Sequence, residues 1–284
     1  MKIINYFLQS IFVYIFFLIA FFLRLKLSRI IFSSLFCVIG PFFKSRKIVN
    51  SNLEIFSKEN TQINKNEIIN NMWKNYGMTF VEYVFLNSFR KESSHVTIKG
   101  REIIQNVFQE NRPVIFVSGH FANFELMSME ITKNKIPLAT IYRPLNNIFL
   151  NPFMEYLRKK YVCKNQIKKG INGVRETIDY INKNYSIALM IDQRVSEGEA
   201  IPFFGRQALT TTLPAQLALK YNIDIIPVYI ERDKNNNFTI EYLKKISPKT
   251  FESKSALSAE LNRVLEKMII RNSGQWIWTH NRWK

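Results

Sequence analysis

The chain has 284 residues, 47% of them apolar and 14% aromatic, and its 40 Lys and Arg against 22 Asp and Glu give a formal net charge of +18. That length suits one large domain with a substantial core and a short appendage. The charge predicts attraction to a polyanion: an acidic membrane, a phosphorylated lipid, an acidic carrier protein or nucleic acid. Nucleic acid ranks last, because no zinc-finger spacing, leucine-zipper heptads or RNA-recognition aromatics are present. Cys37 and Cys163 stand apart and fit neither a disulfide framework nor a metal site, in keeping with a reducing compartment.

In chain order, the first element is Tyr6 to Leu23, whose 18 residues carry no charge. As a helix they span about 27 Å, close to a bilayer's hydrocarbon thickness. A single transmembrane anchor over 1–24 is the expectation. A cleavable signal is the rival, but the run is long for one and no small-x-small site follows it. Arg24, Lys26, Arg29, Lys44, Arg46 and Lys47 come after the run and only Lys2 precedes it, which predicts a single pass with the bulk of the chain on the cytoplasmic face of an inner membrane. Leu25 to Phe43 is largely apolar but carries Lys26, Arg29 and a Gly40-Pro41 break, so 25–45 reads as an interfacial amphipathic segment on the headgroups, with a helix packed on the main domain as the rival. The remainder, 46–284, is the globular domain.

Within it, Asn66 to Asn87 reads as a core helix, with Ile69, Met72, Trp73, Tyr76, Phe80 and Tyr83 at steps of three and four. From about residue 96 short apolar runs alternate with amphipathic stretches, which predicts an α/β fold: one domain with a central mixed, largely parallel sheet flanked by helices. Candidate strands are Val114 to Val117, Leu138 to Tyr142, Ile187 to Ile191, Ile225 to Ile230 and Phe238 to Tyr242. Helices are expected near 171–181, from Thr211 or Thr212 with Pro214 in the first turn, and over 257–268.

The stretch Val114 to Glu125 carries the chemistry. A β-branched run stops at Gly119-His120, and Glu125 follows five positions later. Five is not a same-face spacing in a helix, so His120 is expected before the helix or at its cap, with Glu125 inside pointing back to hold one imidazole nitrogen. Two further strands end in polar clusters, Arg143-Pro144-Leu145-Asn146 and Asp192-Gln193-Arg194. In a parallel sheet these share an edge with His120. Arg143 suits a phosphate held in a two-pronged grip, or else an ion pair with Asp192 or Glu125. Phe203-Phe204-Gly205 reads as an apolar loop that lines an acyl groove or anchors itself in the core. No Ser or Cys has a base placed to activate it, and Ser118 lacks the nucleophile-elbow pattern.

Several ordered blocks resemble the late, Kdo-dependent acyltransferases of lipid A biosynthesis, within the wider lysophospholipid acyltransferase superfamily. They are Gly119-His120-Phe121-Ala122-Asn123-Phe124-Glu125, Ile141 to Asn147, Asp192-Gln193 with Phe203-Phe204-Gly205, the Arg46 to Leu53 segment, and the terminal Gln275 to Lys284. Ala122 stands for the family's usual glycine and Phe124 for its tryptophan. The resemblance implies transfer of a fatty acyl group from an acyl carrier protein or coenzyme A thioester, as co-substrate and not cofactor, to a hydroxyl of a lipid A precursor, without a metal. It implies His120 and Glu125 as catalytic, and Asn123, Arg143, Arg158, Asp192, Gln193, Phe203 and Phe204 as substrate-binding. Another glycolipid or a lysophospholipid is the alternative acceptor. A membrane-tethered basic binding module with a structural His–Glu pair is the alternative of another class.

Overall fold

The structure is a computed structural model and describes residues 2–43 and 46–284, so Lys44 of the basic flank lies outside the described residues. Its first element, α1 (Lys2–Phe43), is two helices joined at Arg24, whose φ of 58° and ψ of 167° break the helical path. Ser28 Oγ donates to the carbonyls of Ala20 (2.8 Å) and Arg24 (2.7 Å), and the rings of Phe16 and Phe32 lie 5.6 Å apart. In a straight helix sixteen residues separate two side chains by about 24 Å, so the chain must reverse at Arg24. The run expected to be an anchor over 1–24 is thus the first leg of a helical hairpin.

The returning leg packs on α3 (Lys65–Glu82), which Gly77 permits, because a Cβ there would stand 2.1 Å from the Phe32 carbonyl oxygen. Phe80 of α3 fills the junction and meets Phe16, Phe17, Phe32 and Phe36. The leg is therefore packed on the main domain on one side. Its other side and the first leg expose Phe12, Leu18, Phe22, Ile30, Val38 and Phe42, a solvent-facing apolar surface far beyond scattered single residues.

The helix α2 (Arg46–Glu59) links the hairpin to α3, and a short 3-10 turn leads on to α4 (Leu86–Lys91). Beyond them lie β1 (Val96–Lys99), α5 (Arg101–Glu110), β2 (Ile115–Ser118), α6 (Glu125–Lys133), β3 (Leu138–Tyr142), α7 (Asn151–Leu157), β4 (Asn165–Lys168), α8 (Ile171–Asn182) and β5 (Ser186–Met190). The chain then makes β6 (Glu199–Phe203), β7 (Arg206–Thr210), α9 (Leu213–Tyr221), β8 (Ile225–Arg232), β9 (Phe238–Tyr242) and α10 (Lys254–Arg271). Seven strands form one sheet in the order β1-β9-β8-β2-β5-β3-β4, parallel at every pairing except β8 with β9. This is the mixed, largely parallel sheet expected, with both faces covered by core clusters.

The five predicted strands are present. The pattern did not reveal β1 and β4, half-polar edge strands, or the separate hairpin β6–β7, whose two-residue turn is Phe204-Gly205 with φ of 48° and 63°. Two-residue hairpins favour residues with positive φ. Phe204 accepts that conformation because burial of its ring, 3% exposed, offsets the local cost.

Candidate active site

Because β8, β2, β5, β3 and β4 run the same way, their carboxyl ends meet on one edge, where open α/β sheets bind ligands. The register pairs Ser118 of β2 with Met190 of β5, and Ile191 donates to the Ser118 carbonyl at 2.9 Å. Two residues further on, His120 and Asp192 are therefore side by side. Asp192 Oδ1 lies 2.7 Å from His120 Nδ1, and Asp192 Oδ2 accepts the His120 backbone N–H at 2.7 Å and the Trp276 indole N–H at 2.9 Å. Burial would push the Asp192 carboxyl up, but His120 and these donors together hold it below the usual carboxylate range. An ionised Asp192 makes Nδ1 the protonated nitrogen and leaves Nε2 for a substrate.

Glu125 does not steer the imidazole, contrary to expectation. It is the first residue of α6, and its Oε1 accepts from Tyr83 Oη at 2.5 Å and Arg158 Nε at 2.7 Å. Arg158 opens a π-helical turn, Arg158–Val162, that continues α7 and aims the guanidinium inward. Burial opposes its charge, but Glu125 and then Tyr83 outweigh burial and raise its affinity for the proton. The Phe124 ring packs edge-on against His120, with ring centres 4.6 Å apart.

A cavity of about 540 Å³ opens at this edge, within the range that holds small ligands. His120, Glu125, Arg143, Arg158 and Gln193 line it, so five of the nine expected site residues share one space. Asp192 stands beneath it, fully buried behind His120. Arg143 does not pair with Asp192, which is held by His120 and Trp276, or with Glu125, which is held by Tyr83 and Arg158; it lines the cavity near Lys169. Burial, and then Arg143, lower the Lys169 ammonium against the opposing pull of Glu197.

Asn123, Phe203 and Phe204 are corrections. Asn123 is 1% exposed and gives its amide to Glu82 Oε2 at 2.9 Å. Phe203 stacks on Trp283 at 5.4 Å and Phe204 meets Phe56 edge-on at 5.1 Å, so both belong to the aromatic core under the carboxyl-terminal segment. Sequence reading missed Tyr83, Lys169 and Trp276. Tyr83 sat in an aromatic helical stripe that periodicity assigns to the core; the indole of Trp276 gave no signal of its polar task.

The backbone around His120 is crowded and partly strained. A Cβ on Gly119 would lie 2.7 Å from the Phe121 ring and 2.9 Å from Leu265, so room rather than a left-handed turn demands glycine there. Ala122 does adopt positive φ, 43°, which costs an L-residue about 1–2 kcal/mol. In Ala122→Gly the relief of that strain is set against the lost buried methyl, about 0.8 kcal/mol, and the added chain entropy, about 0.4–1 kcal/mol, so stability is expected to change by less than about 1 kcal/mol. A thermal midpoint far below that of the wild type would show that packing at Ala122 outweighs the backbone.

A largely parallel sheet with a His–Asp pair facing a cavity at its carboxyl edge, beside an apolar hairpin, defines a membrane-associated α/β enzyme. The family model for bacterial lipid A biosynthesis acyltransferases matches residues 1–284, and the chain belongs to that family. It is similar to the lipid A biosynthesis palmitoleoyltransferase of Escherichia coli (strain K12), 24% identical over 256 residues, covering 86% of this chain and 80% of that protein. The lauroyltransferase of the same organism is 24% identical over 251 residues with the same coverage. A lipid A biosynthesis acyltransferase of Haemophilus influenzae is 22% identical over 247 residues, covering 84% of this chain and 76% of that protein. The protein is an O-acyltransferase.

Proposed function

We propose that the protein moves a fatty acyl chain from a thioester to a hydroxyl of a lipid A precursor, with His120 as general base and Asp192, not Glu125, as the group that orients it. The observation that carries this reading is the double contact of Asp192 with the ring and backbone of His120. His120 Nε2 takes the hydroxyl proton as the oxygen attacks the thioester carbonyl. When the tetrahedral intermediate collapses, the C–S bond breaks and the imidazolium returns the proton to the departing thiolate, giving an ester and a thiol. Asp192 stabilises the imidazolium between these steps.

The backbone N–H groups of His120, Phe121 and Ala122 already donate, to Asp192, Gly119 and Gln275. The charge on the tetrahedral oxygen calls for a donor on the cavity wall, and Arg158, held in place by Glu125, is the cation we assign to that task. Arg143 and Lys169 at the mouth suit a phosphate of the acceptor or of the donor's pantetheine arm. The donor is an acyl carrier protein or coenzyme A thioester, and the basic surface agrees with an acidic carrier. Both apolar legs of α1 enter the membrane, with the catalytic domain on the cytoplasmic side.

Mass spectrometry of lipid A from cells with and without the protein tests the reading. A secondary acyl chain missing from the deleted strain, and restored by the wild type but not by His120→Ala, is the expected result. Unchanged lipid A with altered phospholipids would move the acceptor to another lipid.

A further inference from the structure

The base sits on a segment that α3 holds from one side. Thr79 Oγ1 donates to the Ala122 carbonyl at 2.9 Å, Glu82 Oε2 accepts from Asn123 Nδ2 at 2.9 Å, and Tyr83 Oη donates to Glu125 Oε1 at 2.5 Å. Positions 79, 82 and 83 are spaced three and four apart and share a helix face. Their grip spans the whole turn between His120 and α6.

Glu82 is fully buried and has a second set of partners. Its Oε1 accepts from Arg29 Nε of the returning hairpin leg at 2.6 Å and from Arg232 at the end of β8, and its Oε2 also accepts from Arg232 Nη2 at 3.0 Å. Arg29 and Arg232 are only 8% and 4% exposed. Acyl transfer as written above uses none of the three. A buried carboxylate shared by two guanidinium groups has one position that satisfies both, and its burial keeps bulk solvent from replacing a lost partner. If Arg29 is removed, Glu82 is left to Arg232 and Asn123, and any shift of the carboxylate is passed to Asn123.

We propose that Arg29 is a positioning residue, through which the seat of the membrane hairpin on α3 sets the placement of the His120 turn. The hairpin is then part of the catalytic scaffold as well as a tether. This inference rests on the base role given to His120.

The test uses the full chain in phosphatidylethanolamine–phosphatidylglycerol vesicles that hold lipid A precursor extracted from the deleted strain, with transfer from an acyl carrier protein or coenzyme A thioester and carbethoxylation of His120 by diethyl pyrocarbonate, located by peptide mass. Arg29→Gln is expected to stay with the vesicles, to lose about tenfold or more in kcat with KM for the thioester within about threefold, and to shift the rate and pH midpoint of His120 carbethoxylation. Arg29→Lys recovers most of the loss. The double variant Arg29→Gln/Asn123→Ala loses no more than the worse single variant, because both cut one chain of contacts. Wild-type kcat in folded Arg29→Gln, an equal loss in Arg29→Lys, or additive losses would overturn the proposal. Should Arg29→Gln not fold, Gly77→Ala carries the test, since its methyl group meets the Phe32 carbonyl and lifts the leg without touching the site. The same kcat loss and carbethoxylation shift are expected, and an unchanged enzyme overturns the coupling. A wild type with no turnover on either thioester refutes the donor and acceptor proposed above instead, while carbethoxylation still reports on the coupling.

Discussion

Asp192→Asn is expected to lower kcat by about 10³–10⁴ with the fold retained, because an asparagine can present its amide N–H to Nδ1 and so favours the tautomer whose proton sits on Nε2. His120→Ala should lose at least as much, and the double variant little more, since the two act as one unit. Glu125→Gln separates this account from the one the spacing suggested. If Glu125 oriented the ring, its loss would match that of Asp192→Asn; the geometry instead predicts a smaller loss in kcat, felt through Arg158. Steady-state kinetics on the three variants decides, and a Glu125→Gln defect equal to that of Asp192→Asn would return the steering role to Glu125. Acid stability gives a second check. The folded Asp192 carboxyl lies below its unfolded value of about 3.9, so its contribution is complete above that value and is lost as pH falls through the lower folded one. The wild-type thermal midpoint should therefore drop in that acid window, and Asp192→Asn should drop less steeply there.

Arg158→Met carries the largest expected effect on stability. It strands the Glu125 carboxylate, 7% exposed, with only the Tyr83 hydroxyl as a partner. Breaking a buried ion pair from one side costs about 3–5 kcal/mol, whereas replacing both members is often close to neutral. Arg158→Met/Glu125→Gln is thus expected to recover most of the lost stability while remaining poor in turnover, because the cation on the cavity wall is still missing. Chemical denaturation of the single and double variants measures this. Equal instability in both would mean that Arg158 supports the fold by its packing over Tyr83 and Tyr142 rather than by its charge.

The expected elements that held were those with a strong local period. Val114 to Val117, Leu138 to Tyr142 and Phe238 to Tyr242 are apolar enough to be strands in any context, and the Gly119-His120 step after the first of them placed His120 at the sheet's edge. The edge strand β1 alternates half-buried with exposed positions and β4 fully buries only Ile167, each over four residues, too short a run to stand out. Arg24 was legible as a charge at the end of an apolar run, but the reversal it makes was not. Such a reversal is fixed by what the two legs meet, here Phe80 and the bare backbone at Gly77.

The residues of this chain by themselves determined a parallel α/β domain, an apolar amino-terminal segment, a strand-end histidine and the cations around it, because each of these is a matter of local pattern. Tertiary structure alone decided which carboxylate stands beside that histidine. Glu125 is nearer along the chain, yet strand register, a relation between β2 and β5 that pattern within either strand does not encode, sets Asp192 beside the ring and leaves Glu125 to Arg158.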